Sequence, residues 1–135
     1  MDADTIEITG ETKFEKLHPE RTYDRNALRT LVRMGNRDFW LPPRPLHTLC
    51  MIAKKRADGE PGWIEREDMI SMVHTFNPVD IYRHIHGLRQ TFGPAIVECA
   101  RRRRLFRLGI EKDRIVIDPA LSEHPDGRIR ALFCP

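Results

Sequence analysis

The sequence lacks the features that mark several common protein classes. No apolar run approaches the ~20 residues that a membrane-spanning helix needs, and residues 1–20 lack the basic start and apolar middle of a signal peptide. The three cysteines, Cys50, Cys99 and Cys134, are widely spaced and form no CxxC pair, which excludes a disulfide scaffold and a zinc ribbon. We therefore expect a soluble, cytoplasmic protein whose 135 residues form one domain.

Motifs of catalysis are also missing. The sequence contains no nucleophile elbow, no Gly-rich phosphate loop, no Ser/His/Asp order and no carboxylate pair in a recognisable setting. His84 and His86 cannot easily share one metal ion, because side chains two residues apart on a helix point roughly 200° around its axis. We therefore expect no enzymatic activity, no metal and no cofactor.

Charge is present but unevenly placed. Residues 81–107 hold seven arginines and one acid, Glu98, so this stretch carries +6, although the net charge of the chain is only +3. Residues 1–20 hold six acids and two lysines, which gives −4. One basic stretch in a nearly neutral chain is typical of a protein that binds a polyanion, although a solvated charge run is the simpler alternative.

Alternating apolar residues predict a group of strands within residues 1–41. Residues 5–9 alternate and stop at Gly10, which indicates a short strand. Residues 28–34 alternate again, and a Gly-Asn turn leads from them to residues 38–41. The second and third strands are therefore expected to form a hairpin.

Three helices are predicted within residues 44–93. Pro45 suits the first turn of the first helix, and acids open the second. Asn77 and Pro78 suit the start of the third helix, and Gly93 suits its end. The apolar stripe of the first helix consists of Leu46, Leu49, Cys50 and Ala53. The apolar stripe of the third consists of Ile81, Ile85, Leu88 and Phe92.

Strand-like residues 95–99 and 105–108 flank four consecutive arginines and predict a β-hairpin with a basic tip. Strands, three helices and a hairpin, in that order, predict an α+β fold: a winged helix-turn-helix with N-terminal antiparallel β-strands and a C-terminal β-hairpin wing, spanning residues 1–108. Residues 109–135 are predicted to be a C-terminal extension packed on the same domain. Within it, residues 114–118 and 129–133 are candidate strands.

Four segments of the chain match one family in order and spacing. They are Arg33-Met34-Gly35 through Leu41-Pro42-Pro43-Arg44, then residues 60–70 (EPGWIEREDMI), residues 80–89 (DIYRHIHGLR) and residues 106–108 (FRL). Together, residues 28–108 resemble the DNA-binding effector domain of OmpR/PhoB-type response regulators. The resemblance implies a bacterial or phage regulator associated with the nucleoid, and relatives bind direct repeats in tandem. The receiver domain of the family is not expected here, so control by phosphorylation is not expected within this chain.

The sequence departs from this family where DNA contacts would be made. Arg103, Arg104 and Leu105 stand where the wing usually has Gly-x-Gly, and because other residues resist a positive φ we expect this tip to turn differently. Gly87 replaces a residue that is often polar, which removes one base contact and weakens the helix by ~1 kcal/mol. Arg83 occupies a position that is often small or apolar.

The leading hypothesis is a sequence-specific transcriptional regulator that binds double-stranded DNA. The exposed side of the third helix, which includes Val79, would enter the major groove, with Arg83 on guanine O6 and N7 and Gln90 on adenine or the backbone. The wing arginines would lie on phosphates and in the minor groove. The predicted contact set is Arg83, His84, His86, Gly87, Arg89, Gln90, Arg101, Arg102, Arg103, Arg104 and Arg107.

Two alternatives remain open. The chain could be a protein-interaction module that binds another regulator or RNA polymerase, with the acidic N-terminus and the extension as its contact surfaces. Cys99, close to the arginines, could be a redox-sensing thiol, although core packing is the commoner role of such a cysteine. Trp40 and Trp63 are expected to be core residues.

Overall fold

The computed structural model describes residues 5–15, 27–73, 78–102 and 104–134. These residues form an α+β fold with four α-helices and two β-sheets, in agreement with the predicted fold class. The strands are β1 (Ile6–Phe14), β2 (Leu28–Met34), β3 (Arg37–Leu41), β4 (Ile64–Glu65), β5 (Val97–Ala100), β6 (Leu105–Leu108) and β7 (Ile115–Ile117). The helices are α1 (Pro43–Asp58), α2 (Arg66–Val73), α3 (Pro78–Phe92) and α4 (Gly127–Phe133).

The larger sheet has the strand order β3-β2-β1-β7. Its first three strands pair antiparallel, and the predicted β2–β3 hairpin turns at Gly35, whose φ of 61° suits glycine. β7 pairs parallel with β1, so that Ile6 lies opposite Ile115. The C-terminal extension therefore supplies an edge strand to the N-terminal sheet.

The sequence predicted that the first strand ends at Gly10, and this prediction is wrong. β1 continues to Phe14, and its register on β2 shifts between Ile8 and Thr12. A Cβ atom at Gly10 would lie 2.7 Å from the Cβ atom of Ala120. Glycine is used here for the close approach of the C-terminal segment, which local patterning could not reveal.

The three predicted helices form at the expected places. All four residues of the predicted α1 stripe are fully buried, and Met51 and Ile52 are buried as well, so α1 is surrounded by other elements on most sides. The stripe of α3 is also buried, with exposures of 0% to 7%. The predicted cap at Asn77 lies outside the described residues.

The predicted C-terminal hairpin forms as β5 and β6, which pair antiparallel from Val97–Leu108 to Ala100–Leu105. Ala95 and Ile96, predicted as strand, belong instead to a short 3-10 helix. β4 adds a third strand on the open side of β6. A two-residue strand has no periodicity, so sequence patterns could not predict it.

The extension differs from the sequence prediction in its last part, because residues 129–133 form helix α4 and not a strand. Asp126 Oδ1 accepts hydrogen bonds from the backbone N–H groups of Arg128 and Ile129, which caps the helix. Leu121 and Ile129 have no exposed surface and belong to the central hydrophobic core.

The tryptophans are not core residues, contrary to the expectation. Trp40 and Trp63 are both half-buried, and each has a cation over its ring: Lys13 Nζ lies 4.2 Å from the Trp40 centroid and the Arg107 guanidinium 4.3 Å from that of Trp63. None of the helices in the described part of the chain is long and apolar enough to cross a membrane.

Candidate nucleic-acid interface

Helix α3 has a buried side and an exposed side. The buried stripe packs against α1 and α2, and on the opposite side Val79, Arg83, His86 and Gln90 are exposed. Gly87 is half-buried, and no atom lies within 4 Å of the position that its Cβ would take. The predicted recognition residues therefore share one accessible face.

Arg83 is the most accessible cation on this face. Its side chain is 76% exposed, and its contact with Asp80 one turn earlier is loose, at 3.8 Å between Nη1 and Oδ1. An exposed pair at this distance contributes little to stability, so the guanidinium can leave it at little cost. Arg83 is thus able to make the bidentate contact that the sequence suggested.

His84 lies on the flank of α3 and faces α1. Its Nδ1 atom is 3.1 Å from the hydroxyl of Thr48. Burial lowers the pKa of His84 below its ordinary value, and the Arg44 guanidinium lowers the pKa further, while Asp80 opposes them. The ring is therefore neutral at pH 7 and would contact a phosphate as a hydrogen-bond donor, not as a cation.

Arg89 points into the protein and joins α3 to β5. Its Nη2 atom donates to the carbonyl oxygen of Val97 at 2.7 Å and to Cys99 Sγ at 3.1 Å, and its buried Nε has no hydrogen-bond partner among the described residues. Cys99 is half-buried in this contact and faces the core. Arg89 thus holds the hairpin against the helix.

The described residues of the β5–β6 hairpin tip, Arg101, Arg102 and Arg104, include two with an unusual backbone. Arg101 and Arg102 have φ values of 49° and 56°, in the left-handed region. The sequence predicted that the tip turns differently because Arg103, Arg104 and Leu105 replace Gly-x-Gly, and the positive φ values lie at Arg101 and Arg102, before those positions. Non-glycine residues in this region cost about 1 kcal/mol each. The Arg104 N–H closes the turn on the carbonyl oxygen of Ala100 at 3.2 Å.

The described arginines of the tip face solvent. Arg101, Arg102 and Arg104 are exposed and form no salt bridge with any residue in the described part of the chain. These three arginines line a cleft of about 500 Å³ together with Glu65 and Glu67. Predicted contact residue Arg103 lies outside the described residues.

Arg107 is occupied within the fold. Its guanidinium lies over Trp63, binds Glu98 Oε2 at 2.7 Å and donates to the carbonyl oxygen of Pro61 at 3.1 Å. These contacts join β6 to β5 and to the loop before β4. Its side chain is 23% exposed, so most of it is unavailable to a partner.

The predicted contact residues thus fall into two sets. Those on the surface are Arg83, His86, Gln90, Arg101, Arg102 and Arg104. Those with partly buried positions are His84, Gly87, Arg89 and Arg107. Sequence reasoning missed two further exposed arginines, Arg44 at the start of α1 and Arg128 in α4, because they are far apart in sequence and lie in no charge run.

No three His, Cys, Asp or Glu side chains of the described residues are grouped so that they could hold a metal ion. Comparisons of this chain with protein-family models, with curated proteins and with solved structures give no match. The resemblance to OmpR/PhoB-type effector domains therefore remains a prediction from the sequence.

Proposed function

We propose that this chain is a transcriptional regulator of the winged helix-turn-helix type that binds double-stranded DNA in a sequence-specific manner. In this proposal α3 enters the major groove, and the β5–β6 hairpin is the wing that contacts the adjacent backbone and minor groove. The chain carries out no enzymatic step and acts from the cytoplasm on the nucleoid.

One observation carries the proposal: α3 has an exposed face with Arg83, and the described arginines at the tip of the following β5–β6 hairpin form no salt bridge with described residues. The buried stripe holds α3 in the fold, and the Arg89 hydrogen bond to Val97 holds the hairpin against it. The side chains of Arg83, Arg101, Arg102 and Arg104 remain exposed and able to contact a ligand. Cations kept in solvent on a helix and a neighbouring hairpin suit a polyanion of regular geometry.

The available side chains suggest a division of work. Arg83 would read guanine through O6 and N7, and exposed Gln90 would read adenine or contact the backbone. His86 and the tip arginines would contact phosphates and fix the register. Arg89 and Arg107 would act indirectly, because their contacts position the hairpin.

Selection of binding sites from random duplex DNA with the purified chain tests the proposal. We expect a recurrent sequence to be enriched, and its affinity to fall steeply with salt because each neutralised phosphate releases counterions. Retention of the chain on heparin should weaken over the same salt range. A pool with no enriched sequence, together with retention that is indifferent to salt, would overturn the proposal and favour a protein partner instead.

A further inference from the structure

A groove of about 640 Å³ lies between the start of α1, the flank of α3 and the start of α4. Its walls include Arg44 from α1, His84 from α3, and Asp126 and Arg128 at the start of α4. The elements come from distant parts of the sequence, so only the tertiary structure assembles this site.

The groove has an excess of positive charge. Arg44 and Arg128 are exposed, and within the described part of the chain neither forms a salt bridge. Asp126 is the acid of the lining, and its Oδ1 is already bonded to two backbone N–H groups of α4. The groove therefore carries one net positive charge, from two arginines and one carboxylate.

The two neighbouring histidines add no positive charge to this excess. His84 lines the groove and His47 lies buried beside Arg44 and Arg128. Burial lowers the pKa of both rings, and the pKa of His47 falls to about 4, so both are neutral at pH 7. Asp80, the acid of α3, opposes the lowering of the His84 pKa and also contacts Arg83.

A phosphate group fits these features. Guanidinium presents two parallel N–H donors that match phosphate oxygens, and arginines on separate elements can bind one phosphate from two directions. A phosphate group in the groove would offset this excess of one positive charge and would not displace the Asp126 cap.

We propose that this groove binds a phosphate group, held between Arg44 and Arg128. The phosphate is supplied by the DNA backbone or by a small phosphorylated molecule. The first source rests on the proposed function: His84 is one residue from Arg83 on α3, about 100° around the helix, so the groove opens beside the face proposed to enter the major groove.

The test compares two double variants. Arg44→Gln with Arg128→Gln removes both groove cations, while Lys55→Gln with Lys112→Gln removes the same charge from exposed positions that do not line this groove. All four side chains are exposed, so both proteins should fold, and unchanged denaturation curves would verify this.

The first arm measures DNA affinity over a range of salt concentrations. If DNA supplies the phosphate, the groove variant should lose about 1 unit of the log–log salt slope and keep its sequence preference, while the lysine variant stays close to wild type. The second arm titrates the proteins with inorganic phosphate at constant ionic strength and follows the ring resonances of His47 and His84. If a small phosphorylated molecule supplies the phosphate, both resonances should shift to saturation in wild type. The groove variant should then bind inorganic phosphate at least about tenfold more weakly.

The outcomes separate this inference from the proposed function. If wild type binds no DNA, the proposed function fails and the phosphate titration alone decides this site. If wild type binds DNA, but the groove variant keeps the full salt slope and phosphate moves neither histidine, the phosphate site is wrong and the DNA-binding proposal stands. A change of the slope or a saturable phosphate titration, lost in the groove variant and kept in the control, supports the site and identifies its source.

Discussion

Individual arginines in this protein serve two different purposes, and the difference lies in their partners. The guanidinium groups of Arg89 and Arg107 donate hydrogen bonds within the fold, to backbone carbonyl oxygens, a thiol and a carboxylate in or near the hairpin. Arg83 has only a loose contact at 3.8 Å and a side chain that is 76% exposed. The residues that can contact a ligand are therefore those whose donors the fold leaves unused.

Replacement of Arg83 by alanine tests its role as a base reader. Affinity for the selected site should fall by about 1–3 kcal/mol, and the preference at one base pair should flatten, because a bidentate contact to guanine is lost. Binding-site selection and titration with the variant would measure both effects. Arg37→Ala, an exposed arginine in β3, is the matched control and should leave the preference unchanged. An equal loss on all sequences would instead make Arg83 a phosphate contact.

His47 should make the fold sensitive to acid. Burial lowers its pKa from 6.5 to about 4, with Arg128 and His84 lowering it further and Asp126 opposing them. The unfolded chain therefore takes up a proton near pH 6.5 that the folded chain refuses until about pH 4. Stability from this group is complete above pH 6.5 and is lost as the pH falls toward 4, by up to about 3 kcal/mol.

Denaturation curves between pH 7 and 4 would measure this effect. His47→Gln should make the stability depend less on pH. Part of the dependence should remain, because the lowered pKa values of His84 and His124 act in the same direction. An NMR titration that places the pKa of His47 near 6.5 would contradict the expectation.

At the scale of elements, the β5–β6 hairpin combines a strained turn with exposed charge. Arg101 and Arg102 occupy left-handed backbone positions where glycine would be more comfortable. The backbone N–H of Arg66 binds the carbonyl oxygen of Arg104 at 2.9 Å, which ties the tip to the start of α2. A conformation that glycine would adopt more readily, occupied by two arginines, points to a use for their charge.

Replacing both residues by glycine separates charge from stability. Arg101→Gly with Arg102→Gly should raise the free energy of unfolding by up to about 1 kcal/mol, because the relief of strain at two positions exceeds the extra conformational entropy that glycine gives the unfolded chain. The salt slope of DNA binding should fall by roughly 1–2 units. The corresponding alanine pair removes the same charge and keeps the strain, so it should bind DNA equally weakly and be less stable. Denaturation and affinity at several salt concentrations would measure both properties. An unchanged slope in both variants would exclude the tip from the interface.

At the scale of the whole molecule, the C-terminal extension completes the fold. β7 extends the larger sheet, Leu121 and Ile129 enter the core, and His124 Nε2 lies 2.9 Å from the hydroxyl of Thr30 in β2. The extension also supplies Arg128 to the groove beside α3. Its apolar residues are thus largely used within the chain, with Val116 as an exposed exception at 48%.

Truncation of one side chain measures this contribution. Ile129→Ala should lower the free energy of unfolding by about 2–5 kcal/mol, because Ile129 is fully buried and its loss leaves a cavity. Arg128→Ala, the exposed neighbour, should change it by no more than about 0.5 kcal/mol. Urea denaturation of the three proteins would give both differences. Equal stability of the Ile129 variant and wild type would mean that the extension is not part of the cooperative unit.

Periodicity and local signals in the sequence were sufficient for most of the fold. The alternation of residues 28–34, the Gly-Asn turn and the stripes of α1 and α3 depend on side chains a few residues apart, so they can be read locally. Two of the wrong predictions came from local signals that have another role in the fold. Gly10 looked like a strand end but serves a close approach to Ala120, and residues 129–133 looked like a strand although Asp126 caps a helix there.

The sequence alone also determined where the positive charge is concentrated and that α3 has one apolar side. Which arginines remain available was decided only by the tertiary structure, because a long flexible side chain bonds to whatever lies within its reach. Val97 and Cys99 come within reach of Arg89, and Glu98, Pro61 and Trp63 within reach of Arg107, only after the hairpin packs. The pairing of Arg44 with Arg128 across one groove has the same origin, since residues 84 positions apart can meet only through the fold.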